Sequence, residues 1–141
     1  MVDLGFLTTL RRREILGLLL ISVVIYYVQA QFAGDKPDYG DVTIERAREL
    51  IENRPDMVIL DVRTEGEFED GHLGGAINIP VDDLEQRIGE LDDKDEILVY
   101  CRIGNRSTRA TQILRDNGFS KLYHIVDGME GWKAAGYPTV T

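Results

Sequence analysis

One cysteine, Cys101, is all that this 141-residue chain contains. An intrachain disulfide framework is therefore excluded, and so is a zinc site built from several cysteines. What remains is a buried structural thiol or a reactive one, and unpaired cysteines are among the most buried residue types. Positive charge is also scarce: 16 Lys and Arg against 25 Asp and Glu give a formal net charge of −9. That balance argues against nucleic acid, which is bound mainly by Lys and Arg neutralising phosphates. It favours solubility and repels anions at long range, so any anion chemistry has to be local. Histidine is limited to His72 and His124. Neither forms a motif with the cysteine, and each reads as structural. No internal repeat or low-complexity tract interrupts the chain.

What is present begins with RRREILGLLLISVVIYYVQAQ, three arginines followed by an apolar run from Ile15 to Val28. The apolar residues cover all faces of a helix, with no amphipathic stripe. Fourteen residues rise about 21 Å, short of a hydrocarbon core of about 30 Å, and extension to Ala33 brings the helix close to that figure. The segment reads as a membrane anchor through residues 12–33 or as a signal peptide cleaved after Val28-Gln29-Ala30. Either reading keeps Arg11, Arg12 and Arg13 cytoplasmic. It places the rest at the outer side of the cell membrane, or in the periplasm or medium after cleavage. The expected organisation is residues 1–33 as the hydrophobic segment, 34–40 as a linker and 41–141 as one domain.

Within that domain short continuous apolar runs alternate with helical periodicity. Met57–Leu60, Ala76–Ile79, Ile97–Tyr100 and Leu122–Val126 read as strands buried on both faces, with Tyr39–Val42 as a short edge strand. Ile44, Ala47, Leu50 and Ile51 mark one helical face, and Leu84 with Ile88 another, opened by an Asp82-x-x-Glu85 capping box. A third helix carries Ala110, Ile113 and Leu114, with Ser107 as its cap and Gly118 at its end. A last one surrounds Trp132 after Asp127, stopped by Gly136 and Pro138. The alternation predicts an α/β domain, a mostly parallel sheet of about five strands with helices on both faces. Ligands bind beyond the carboxyl ends of strands in such sheets. Asp61, Cys101 and Asp127-Gly128 each follow a predicted strand, so they share one rim, which favours the reactive thiol.

Cys101 opens the stretch CRIGNRS, between a strand and a helix, with Gly104 where the chain turns. A loop curled this way points backbone N–H groups inward, and the following helix adds its positive end. Those fields, with Arg102 and Arg106, lower a cysteine pKa without a histidine base.

CRIGNRS resembles the active-site loop of the rhodanese family of sulfurtransferases. DVRTEGEFEDGHLGGAINIP at 61–80 resembles the family's first signature, and NGFSKLYHIVDGMEGWKAAGYP at 117–138 its C-terminal segment. The matches run in order from about Met57 to Pro138. The resemblance implies a three-layer rhodanese-like domain in which Cys101 attacks the outer sulfur of an anionic donor such as thiosulfate, releases sulfite and holds a persulfide. A thiol, cyanide or a protein sulfur acceptor then removes the sulfur. It implies that Arg102, Ile103, Gly104, Asn105, Arg106 and Ser107 form the substrate cradle, Arg102 and Arg106 orienting the donor, with no metal or organic cofactor. Asp61 and Arg63 match family residues near the loop, as an ion pair or a substrate contact. Ile103 is bulkier than is common there, and Met129 replaces a frequent glycine; both narrow the mouth. Glu65, Glu67, Glu69 and Asp70 read as a solvated helix face.

Three further readings stay open. Phosphatases and arsenate reductases of related fold use a loop one residue longer, with arginine six positions after the cysteine; here position 107 is Ser and the arginine is Arg106. A membrane-tethered persulfide carrier or binding module with little small-molecule turnover needs the same residues. An inactive structural module would not have to keep cysteine, arginines and glycine together.

Overall fold

The computed structural model describes residues 12–32 and 39–141. These fall into two units, the helix α1 (Arg12–Phe32) and the domain from residue 39 onwards. Along α1 the apolar side chains from Leu18 to Val28 are exposed. Among the described residues no helix is long and apolar enough to cross a membrane. The transmembrane anchor expected over residues 12–33 is therefore not supported. The physical reason is length: the apolar run between Glu14 and Gln29 rises only about 21 Å. The first eleven residues, Ala33 and most of the expected linker lie outside the described residues.

The domain follows the order β1 (Gly40–Val42), α2 (Ile44–Asn53), β2 (Val58–Asp61), α3 (Glu65–Glu69) and β3 (Ile77–Asn78). Then come α4 (Leu84–Arg87) with a 3-10 turn at Ile88–Glu90, β4 (Ile97–Tyr100), α5 (Asn105–Asp116), β5 (Leu122–Ile125) and α6 (Gly128–Ala134). All five strands are parallel, in the order β1-β5-β4-β2-β3. Parallel neighbours need crossovers, which the helices supply on both faces. β4 and β5 are buried along their whole length, as continuous apolar runs in such sheets must be.

Side chains alternate across a strand, and this parity sorts the core into two layers. Leu98 and Tyr100 of β4, with Tyr123 and Ile125 of β5, pack against Ala47 and Leu50 of α2 and Met129 and Trp132 of α6. Ile97 and Val99 face the other way, with Leu122, against Leu84, Ala110 and Leu114 of α4 and α5. Each fully buried aliphatic side chain contributes about 1.5–3 kcal/mol of transfer free energy. Cys101 continues the second series, so its sulfur lies on the α5 side.

Two expected caps are placed differently. α4 begins after Asp83, which makes no side-chain capping bond, and Asp82 instead pairs with Arg109 at 2.8 Å. α5 begins at Asn105, three residues earlier than a Ser107 cap requires, because Gly104 takes the cap position in the left-handed region (φ 92°). Ser107 is thereby moved inside the first turn and fully buried. The capping box that does form joins Thr64 and Glu67 at the start of α3.

Candidate active site

Cys101 is the first residue after β4, and only Arg102, Ile103 and Gly104 separate it from α5. So short a strand-to-helix turn requires a positive φ, which Gly104 supplies without a Cβ penalty. A Cβ there would also collide with the carbonyl oxygen of Val126. Gly128 answers this packing from the other side: a Cβ on it would lie 2.5 Å from the carbonyl oxygens of both Cys101 and Arg102. The first turn of α6 therefore comes close enough for Met129 N–H to donate to Cys101 C=O at 2.8 Å. Glu130 N–H donates to Arg102 C=O at 3.1 Å. With the loop carbonyls held by α6, its N–H groups turn the opposite way, towards the sulfur.

Gly104 N–H donates to Cys101 Sγ at 3.1 Å, and Ser107 Oγ lies 3.3 Å from the same sulfur. Burial pushes the Cys101 thiol up. It is outweighed by the Ser107 hydroxyl and by the backbone N–H groups of Ser107, Ile103 and Gly104, so the thiol titrates below its ordinary value. The residue is only 1% exposed. It is thus both buried and built to carry negative charge, so the sequence alternatives of structural and reactive thiol were not exclusive.

The surrounding residues divide into those open to a ligand and those already engaged. Arg102 is exposed and lies 3.5 Å from the equally exposed Glu130, a loose pair that leaves its guanidinium accessible. Ile103 is exposed on the rim, with Val126 beside it lining a shallow depression, and Asn105 is exposed too. Arg106 differs from the expectation of a donor-orienting group: both of its Nη atoms are bound to Glu67, at 2.6 and 2.8 Å. Glu67 is correspondingly more than one acid of a solvated face, since it also accepts from Thr64 N–H at 3.1 Å. Asp61 and Arg63 form a buried ion pair at 2.6 Å, and Arg63 also donates to Gly71 C=O at 2.8 Å. Arg63, Glu67, Arg102 and Met129 together border a hollow of about 180 Å³. Met129 is itself buried beneath the loop.

His72 is structural as expected, stacked on Phe68 with Nδ1 2.9 Å from its carbonyl oxygen. His124 is not merely structural: Nε2 lies 2.7 Å from Ser107 Oγ and Nδ1 2.9 Å from Asp41 Oδ1. Strand parity carries the missed signal, because Asp41, His124 and Cys101 all fall on the α5 side of adjacent strands.

The Arg106–Glu67 pair makes a testable contribution. The Arg106 guanidinium, against some burial and with help from Thr64, holds the Glu67 carboxyl at about 2, well below its ordinary value of 4.5. A depressed carboxylate stabilises the fold fully above its unfolded value and loses that effect as pH falls through its folded value. Glu67→Gln is expected to lower stability by about 1 kcal/mol at pH 7, as for a well-formed, partly exposed pair. In urea unfolding, the difference from the parent chain should stay constant down to about pH 5 and vanish near pH 2. A difference that persists at pH 2 would assign the loss to packing.

Comparison with known proteins matches this geometry to a family. The family model for the rhodanese-like domain covers residues 43–135. The chain belongs to the rhodanese-like domain family. Thiosulfate sulfurtransferase GlpE of Coxiella burnetii is 33% identical over 96 residues, covering 68% of this chain and 89% of that protein. The Bacillus subtilis protein named "Putative sulfur carrier protein YrkF" is 34% identical over 92 residues, covering 65% of this chain. The rhodanese-like domain here spans half the length of that relative. A crystal structure of a rhodanese-related protein from Thermoplasma volcanium superposes with a TM-score of 0.64 at 30% identity, covering 72% of this chain and 98% of that one.

Proposed function

We propose that this rhodanese-like protein is a thiosulfate sulfurtransferase working through a persulfide on Cys101. The observation that carries the reading is the sulfur's position at the focus of loop N–H groups, where negative charge is stabilised before any substrate arrives. The Cys101 thiolate attacks the outer sulfur of thiosulfate; a new S–S bond forms at Sγ while the donor's S–S bond breaks. Sulfite leaves with the electron pair, and the outer sulfur of the persulfide keeps the negative charge. A thiolate or cyanide then attacks that outer sulfur, returning Cys101 to thiolate and releasing persulfide or thiocyanate. Arg102, being accessible, attracts the anionic donor against the acidic background of the chain. Ile103, Gly104, Asn105 and Ser107 complete the cradle, and Arg106 shapes it through Glu67. The Asp61–Arg63 pair supports the neighbouring turn.

Steady-state sulfite release from thiosulfate with cyanide as acceptor, together with a mass gain of one sulfur atom on Cys101, is the expected result. Cys101-dependent hydrolysis of a phosphate ester with no sulfite release would overturn the proposal. That outcome is disfavoured because Arg106, five positions after the cysteine rather than six, is committed to Glu67.

A second reading, a persulfide carrier with little turnover of small donors, draws support from the name of the Bacillus subtilis relative. The mass gain without steady-state sulfite release would identify it. For location, Arg11–Arg13 and the apolar run after them support delivery of the domain to the outer side of the cytoplasmic membrane. Protease accessibility in intact cells, with sequencing of the mature N-terminus, tests this.

A further inference from the structure

We propose that Asp41, His124 and Ser107 form a proton-linked positioning relay that decides whether the Ser107 hydroxyl donates its hydrogen to the Cys101 sulfur. The argument is a count of hydrogens. Ser107 has one hydroxyl hydrogen and three acceptors in reach: Gly104 C=O at 3.0 Å, Cys101 Sγ at 3.3 Å and His124 Nε2 at 2.7 Å. Gly104 C=O is already served by Thr108, through N–H and Oγ1, both at 2.9 Å. The contest is therefore between the sulfur and the imidazole.

Asp41 decides the tautomer. Its carboxylate only accepts, so the 2.9 Å contact with His124 Nδ1 places a hydrogen on Nδ1. In the neutral ring Nε2 is then bare and takes the Ser107 hydrogen, leaving the sulfur without it. In the imidazolium Nε2 carries a hydrogen of its own and donates to Ser107 Oγ, which frees the hydroxyl to donate to sulfur. His124 protonation and negative charge on Cys101 thus favour each other, and by linkage the coupling is reciprocal. Protons reach the buried ring from the Asp41 side, whose carboxylate is 72% exposed while the His124 side chain is 6% exposed.

The groups around His124 leave this as the controlling interaction. Asp41 faces it from β1, Cys101 lies beyond the end of β4, and Ser107 faces it from α5. The ionisable residues flanking Ser107 on α5 are committed elsewhere, Arg106 to Glu67 and Arg109 to Asp82. The relay moves protons only. Its effect is to lower the barrier to forming the thiolate when His124 is charged, and to raise the intrinsic nucleophilicity of that thiolate once His124 is neutral, since a thiolate relieved of a donor is more basic.

The relay rests on Cys101 being the reacting sulfur, and its test reads that sulfur directly. The probe is iodoacetamide, which alkylates the only cysteine, with the rate followed from pH 4 to pH 10. The parent chain is expected to show two inflections, with a rate change of about threefold across the second. Ser107→Ala removes the hydroxyl and should leave a single inflection. Asp41→Asn, at an exposed position that does not endanger folding, should displace the second inflection towards lower pH. NMR of the His124 ring should show it titrating at lower pH in Cys101→Ser than in the parent. A single inflection in the parent, a second one that survives in Ser107→Ala, or a His124 titration indifferent to Cys101→Ser would each overturn the relay. Sulfite release from thiosulfate is read separately, so loss of the relay and loss of the sulfurtransferase reading are distinguishable.

Discussion

Cys101→Ser is expected to reduce sulfite release by at least about 1,000-fold, and to eliminate the mass gain of one sulfur, while the fold persists. The size follows from what the site can and cannot replace. Hydroxyl and thiol are nearly the same shape, so the Gly104 N–H and the α6 contacts to the loop carbonyls have no reason to change. The cradle can lower an acidity, but a serine starts too far from neutral pH for the same donors to ionise it. An alkoxide would moreover have to form an oxygen–sulfur bond in place of a disulfide-like one. Full sulfur transfer by the serine variant would mean that the nucleophile is elsewhere. Circular dichroism and urea unfolding on the same sample separate a lost nucleophile from a lost fold.

Asp61→Asn is expected to produce the largest loss of stability of any single conservative change in the domain. Asp61 has no exposed surface, and it accepts from Arg63 through Nε, Nη2 and the backbone N–H at 2.6–3.0 Å. Removing one charge leaves the Arg63 guanidinium buried without a counterion, a situation that costs about 3–5 kcal/mol. For a domain of this size that is a melting temperature lower by about 12 °C or more. The companion measurement is the double variant Asp61→Asn, Arg63→Met. It removes both charges and should recover part of the loss, because a buried pair contributes little over an apolar replacement even though half a pair is costly. A single-variant loss below about 1 kcal/mol in urea unfolding would show that water reaches the pair. Asp61 and Arg63 form the ion pair that the sequence offered as one alternative, and Arg63 holds the turn at Gly71 beside the hollow.

The parts of this structure that were legible in the sequence are those written in neighbouring residues. Ile97–Tyr100 and Leu122–Ile125 are unbroken apolar runs, and a strand buried on both faces leaves no other pattern. The α2 face at Ile44, Ala47 and Leu50 follows helical spacing. Cys101 and the loop stood out because thiol, glycine and helix start fall within five residues. What was not legible depends on partners far along the chain. Glu67 looked like one acid among several, and its role is fixed by Arg106, 39 residues away. His124 looked like a strand histidine, and its partners come from β1 and α5. Ser107 was misplaced for a local reason: serine is a good cap, but Gly104 in the left-handed region starts the helix sooner than propensity suggests. The N-terminal run shows the limit of hydropathy, since Ile15–Val28 is apolar enough to suggest a membrane yet too short to span one.

The place of β5 has a consequence for the life of the chain before it is complete. β5 is the last strand made, yet it lies between β1, the first, and β4. The first turn of α6, later still, ties down the carbonyls of Cys101 and Arg102. During synthesis β1 therefore has no neighbour to pair with, and the cysteine loop has no backing, until β5 and α6 have been made. Pairings between such distant segments also form slowly. The thiol consequently emerges on an unfinished sheet, and its loop gains the α6 bonds to the carbonyls of Cys101 and Arg102 only after β5 and α6 follow. Closure of the sheet and backing of the sulfur's loop therefore come together.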